Sequence, residues 1–60
     1  FKKGDVVMLR SGGPNMTVCD TPGEFGGGYL CEWFDDGSKL EHASFPGEAL
    51  MLAPELGIVA

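Results

Sequence analysis

Sixty residues with a formal net charge of −5 allow one small domain and no more. Ten glycines and four prolines interrupt the chain too often for long helices, and no apolar run approaches the roughly 18 residues of a membrane span. Nine acidic against four basic side chains repel phosphate backbones and anionic lipid, so neither nucleic acid nor a membrane is an expected partner. A chain this short buries only about 60% of the surface its unfolded state exposes, which makes dimerisation a natural reinforcement. No charged-then-apolar leader is recognisable, and Phe1 stands where an initiator methionine would, which predicts a natural start elsewhere.

In chain order, Asp5 to Arg10 (DVVMLR) reads as a strand running into the turn Ser11-Gly12-Gly13-Pro14. From Asn15 the chain resumes as NMTVCD, with Met16 and Val18 on one face and Thr17 and Cys19 on the other, completing a first hairpin. Thr21 to Gly28 reads as a loop. Its glycines have the most backbone entropy to lose, so Gly23 to Gly28 is expected to be the least ordered internal segment. Tyr29 to Phe34 (YLCEWF) is the most β-prone window, and the Asp36-Gly37 step after it signals a tight hairpin turn into a returning strand, Ser38 to Phe45. Pro46 to Leu50 allows one helical turn with proline near its start, Met51 to Ala53 a short last strand, and Pro54 a stop.

Five short strands with a helical turn before the last predict an all-β fold, a small SH3-like barrel over residues 1–53, followed by an apolar tail over residues 54–60. Alternation along the strands nominates Val7, Leu9, Met16, Val18, Cys31, Trp33, Leu40, Phe45, Leu50 and Leu52 as core. Leu30 and Phe34 fall on the opposite face from Cys31 and Trp33. Trp33 is expected to anchor the barrel with its indole N–H on an internal acceptor.

Few residues offer chemistry. Two cysteines are too few for a disulfide-stapled secreted scaffold, and Cys19 and Cys31 lie in apolar strand-like runs, which predicts free thiols in the cytoplasm. With His42 they form the sole metal-ligand set that can be assembled, and their wide spacing lacks the close cysteine pair of structural zinc sites. No metal and no cofactor is expected. A Cys–His nucleophile pair has no more support, because His42 sits in a polar strand. Ser11-Gly12-Gly13-Pro14 lacks the lysine and following helix of a phosphate loop and reads as a turn. Asp5 reads as an acceptor for backbone N–H groups in an Asx-like turn, and Asp35 and Asp36 as turn acids. No catalytic residue is nominated, and the chain is not expected to be an enzyme.

The opening FKKGDVVMLRSGGPNMTV, the block Cys31-Glu32-Trp33-Phe34 and the block Phe45-Pro46-Gly47-Glu48-Ala49-Leu50 together resemble the YodC-like family of small uncharacterised bacterial proteins, a domain of unknown function (DUF2158). The resemblance spans most of Phe1 to Ala53 and implies an SH3-like β-rich fold with no established catalytic residue or ligand. The glycine-rich stretch Gly23 to Gly28 and the tail after Ala53 depart from it.

The leading functional expectation is a non-enzymatic protein-binding or adaptor module whose contact residues are Phe25, Tyr29 and Phe34, aromatics surplus to so small a core. A nucleic-acid-binding barrel using Lys2, Lys3 and Arg10 near one end of the first strand is the alternative, and an accessory domain of an enzyme complex a third. A homodimer is expected as well, with Leu56, Ile58 and Val59 of the tail in its interface and a hairpin exchange about Gly23 to Gly28 as one route.

Overall fold

The computed structural model describes residues 1–24 and 26–54 of the chain. It contains five strands, β1 Val6–Leu9, β2 Met16–Asp20, β3 Tyr29–Phe34, β4 Leu40–Phe45 and β5 Leu50–Leu52, with one 3-10 turn, Gly47–Ala49, before β5. All neighbours are antiparallel in a single sheet ordered β4-β3-β2-β1-β5. The protein is thus all-β, with the strand number and the turn before the last strand that the sequence predicts. Several boundaries differ: β1 is one residue shorter at each end than the expected Asp5 to Arg10, β2 begins at Met16 instead of Asn15, β4 begins at Leu40, and β5 ends at Leu52 instead of Ala53. Leu50 opens β5 instead of closing the helical turn, and Ser38 belongs to the β3–β4 turn instead of the strand.

The short link between β4 and β5 dictates the shape of the sheet. In a flat sheet of this order the two edge strands would lie four spacings, roughly 19 Å, apart. Phe45 and Leu50 are joined only by Pro46 and the 3-10 turn, and a link with that much tight turn reaches roughly 13 Å. The sheet must curl. A bulge at Cys19, where the β2–β3 register shifts between Val18 and Asp20, adds to the bend by inserting one residue.

The inner face of the curl is the core. Val7 of β1, Met16 and Val18 of β2, Cys31 of β3 and Leu50 of β5 are buried in one cluster, with Leu9, Tyr29, Trp33 and Phe45 packed against it. Of the predicted core, Leu40 and Leu52 are corrections, 50% and 58% exposed. Leu40 pairs with Phe34 on the outer face, whereas Glu41, Ala43 and Phe45 take the inner positions of β4. Leu52 does pair with buried Val7, but at the open edge of the sheet. Trp33 packs in the core with its ring centroid 6.2 Å from that of Phe45. The internal acceptor expected for its indole N–H is not found among the described residues.

Local sequence explains the turns. Gly12 and Gly13, at φ 107° and 128°, take backbone conformations that favour glycine, as the turn after β1 requires. Asp5 accepts the Lys2 N–H at 3.0 Å, the backbone-acceptor role expected of it, but from the residue three positions before it and not from two after as in an Asx turn. Gly23 and Gly26 exchange both backbone hydrogen bonds, at 3.1 and 3.2 Å, so the stretch read as a loop contains a tight bridge.

Candidate functional site

Of the three aromatics expected to contact a partner, Phe25 lies outside the described residues, as do Leu56, Ile58 and Val59 of the tail. Tyr29 and Phe34 stand five positions apart on β3 and therefore on opposite faces. Tyr29 is half-buried on the inner side, edge-on to Phe1 with ring centroids 5.3 Å apart, and it packs on the core cluster. Phe34 is 67% exposed on the outer face. The two do not share a surface.

What Phe34 does share is an apolar corner with Leu40, its cross-strand partner. Cross-strand pairing arranges the outer face in rows. Val6, Thr17, Glu32 and His42 form one row across β1 to β4, and Asp20, Leu30 and Ser44 form another. Phe34 and Leu40 form the row nearest the β3–β4 turn. Across these rows runs a groove of about 400 Å³, with Asn15, Thr17 and Cys19 along its β2 side, Glu32, Trp33 and Phe34 on β3 and Leu40 on β4. Leu40 is expected in the core from sequence alone, and that expectation hides this corner. The signal was present, since Leu40 and Phe45 are separated by an odd number of positions and cannot face the same side of a regular strand.

The turn that brings Phe34 and Leu40 together is organised by Asp35. Its Oδ1 accepts the N–H of Gly37 at 2.8 Å and of Lys39 at 2.9 Å, and the Ser38 N–H bonds the Asp35 carbonyl at 2.9 Å. The left-handed residue is Ser38, at φ 63°, and not Gly37. The connection is therefore a three-residue loop, wider than the two-residue turn that an Asp-Gly pair signals.

Glu32 brings a carboxylate to the wall of the groove. The Cys19 thiol is held above its ordinary pKa by partial desolvation, then by the Glu32 carboxylate beside it, then by the charge of Asp20. Its Sγ lies 3.6 Å from the Thr17 carbonyl oxygen, to which it can donate. Asp20 is paired with Lys3 at 3.8 Å. Burial likewise pushes the Cys31 thiol up, helped by Cys19. Both thiols are free, and Cys31 is buried on the inner side while Cys19 and His42 belong to the outer face. The three do not converge, and among the described residues no three His, Cys, Asp or Glu side chains approach a metal-binding arrangement. Lys2 and Lys3 precede β1 whereas Arg10 follows it, so the three cations proposed for nucleic acid flank opposite ends of that strand.

A second groove, of about 410 Å³, lies at the β1–β5 edge, between Gly4, Asp5 and Val6 on one side and Leu52, Ala53 and Pro54 on the other. Among the described residues no helix is long and apolar enough to cross a membrane.

The family model described as "Uncharacterized small protein (DUF2158)" matches residues 2–50, and the chain belongs to that family. No curated protein and no solved structure matches the chain significantly.

Proposed function

We propose that this member of an uncharacterised family is a non-enzymatic protein-binding module that contacts its partner through the Phe34–Leu40 corner and the adjoining groove. The observation that carries the reading is the exposure of Phe34, at 67% the most exposed large apolar side chain among the described residues. Burying such a side chain contributes roughly 1.5–3 kcal/mol, a large share of the stability of a domain this size. Leaving Phe34 and Leu40 side by side in water is a cost that a partner surface offsets. Cross-strand packing between them returns only about 0.2–1 kcal/mol. A peptide-display selection against the immobilised protein, counter-selected on a folded Phe34→Ser/Leu40→Ser variant, tests the reading. Enriched sequences that bind the wild type and not the variant are expected, and binders indifferent to the two substitutions would overturn it.

Self-association through the other groove, with a cytoplasmic location, accompanies this reading. Val6 and Leu52, 46% and 58% exposed, flank the place where the chain leaves β5 for its apolar tail. Sedimentation equilibrium at tens of micromolar should give a dimer for the full chain and a monomer for a chain ending at Ala53. A monomer in both cases overturns the dimer, and a dimer in both removes the tail from it.

A further inference from the structure

We infer that the groove beside Phe34 and Leu40 takes a short basic segment of another protein, in which one large apolar side chain is flanked by arginine or lysine. The inference rests on the protein-binding reading above and adds the chemistry of the partner.

The dimensions limit the occupant first. Two strand spacings separate β2 from β4, roughly 10 Å, and Asn15 to Cys19 extends roughly 13 Å along β2. That footprint, with a volume of about 400 Å³, suits three or four residues of extended chain, with one side chain set against Phe34. A folded domain would need more area than this corner offers for a stable contact.

Charge then selects the occupant. The Glu32 carboxylate lies in the groove wall, and its cross-strand neighbours are Thr17 and His42, so no lysine or arginine stands opposite it in the sheet. Asp35 and Asp36 follow Phe34 directly on the exposed turn, with Lys39 the nearby cation, and Asp20 is already engaged by Lys3. The chain as a whole carries −5. The Cys19 thiol, raised first by desolvation, is raised further by Glu32 and Asp20, which both oppose a thiolate there. A second copy of this face would bring like charge, and phosphate-bearing partners are repelled for the same reason. A guanidinium or ammonium gains a charge-assisted hydrogen bond from Glu32, while the neighbouring apolar side chain covers the Phe34 ring.

The test is fluorescence anisotropy with the full chain and labelled pentapeptides at low salt. One peptide carries a central tryptophan between two pairs of arginines, a second replaces the arginines by glutamates, and a third replaces the tryptophan by alanine. The basic tryptophan peptide is expected to bind about tenfold or more tightly than either other peptide, with Phe34→Ser weakening it about tenfold and Glu32→Gln about threefold. Both substitutions lie on the outer face, and a thermal melt of each variant verifies the fold, with Leu40→Ser standing in should Phe34→Ser fail to fold. Equal binding of the acidic peptide, or an unchanged affinity with Glu32→Gln, overturns the basic partner while Phe34-dependent binding still supports the protein-binding reading. Binding of the basic peptide that survives both Glu32→Gln and Phe34→Ser is diffuse charge attraction and overturns the site itself.

Discussion

Gly28 approaches the backbone of Phe45 so closely that a β-carbon on it would lie 2.7 Å from the Phe45 carbonyl oxygen. The contact sits at the end of the β3–β4 ladder, next to the Tyr29–Phe45 pair. The obstacle is backbone, which cannot rotate aside as a side-chain tip can. Gly28→Ala should therefore cost about 1–3 kcal/mol. Gly23→Ala, with nothing within 4 Å of the added carbon, should change stability by no more than a few tenths. Urea denaturation of both variants checks the contrast, and equal effects would remove the close approach as its cause.

The β3–β4 turn predicts two substitutions of opposite sign. Ser38 holds a left-handed conformation that penalises a β-carbon, so Ser38→Gly should stabilise the domain by about 0.5–1 kcal/mol despite glycine's larger unfolded-state entropy. Asp35→Ala removes both side-chain bonds to the turn amides and should destabilise by about 1–2 kcal/mol. In a domain this small these changes amount to several degrees in Tm, readily seen by circular dichroism.

Leu50 and Leu52 point to the same side of β5 and yet should respond very differently to truncation. Leu50 is fully buried among Val7, Val18 and Cys31, whereas Leu52 is 58% exposed. Leu50→Ala should cost about 2–5 kcal/mol, enough to unfold a marginal domain, and Leu52→Ala under about 1 kcal/mol. Comparable losses at the two positions would mean that β5 pairs with β1 in a different register.

The thiols yield a pH prediction whose sign follows from their environment. Both have folded-state pKa values raised above the ordinary 9.0, by desolvation first in each case. A raised pKa contributes stability that is complete below the unfolded value and is lost as pH rises through the folded one. Tm should thus decline above about pH 9, and Cys31→Ala should shallow that decline even though it lowers Tm at neutral pH. Alkylation of the native protein near pH 8 should modify Cys19 more slowly than a cysteine peptide, and Cys31 only at the rate of unfolding.

Much of this fold is legible one strand at a time. Tyr29–Phe34 has the observed bounds of β3, and the alternation of Met16 and Val18 against Thr17 correctly separates the faces of β2, because side-chain direction repeats every two residues whatever the rest of the chain does. The turn glycines and the backbone-acceptor role of Asp5 are equally local, as are the sequence blocks by which the chain resembles its family. The candidate site was half legible, since Phe34 stood out as surplus to the core but its companion Leu40 did not.

Tertiary structure decided the rest. Alternation sorts the faces of one strand but is silent on register between strands, and the three-residue loop at Asp36, Gly37 and Ser38 is what sets Leu40 opposite Phe34. How deeply each inner residue is buried depends on where the curled sheet closes. The short link from Phe45 to Leu50 draws the start of β5 into the core and leaves its end at the open edge, so Leu50 is covered and Leu52 is not. A groove assembled from β2, β3 and β4 exists only once those strands are paired, because no single stretch of sequence contains Cys19, Glu32 and Leu40 together.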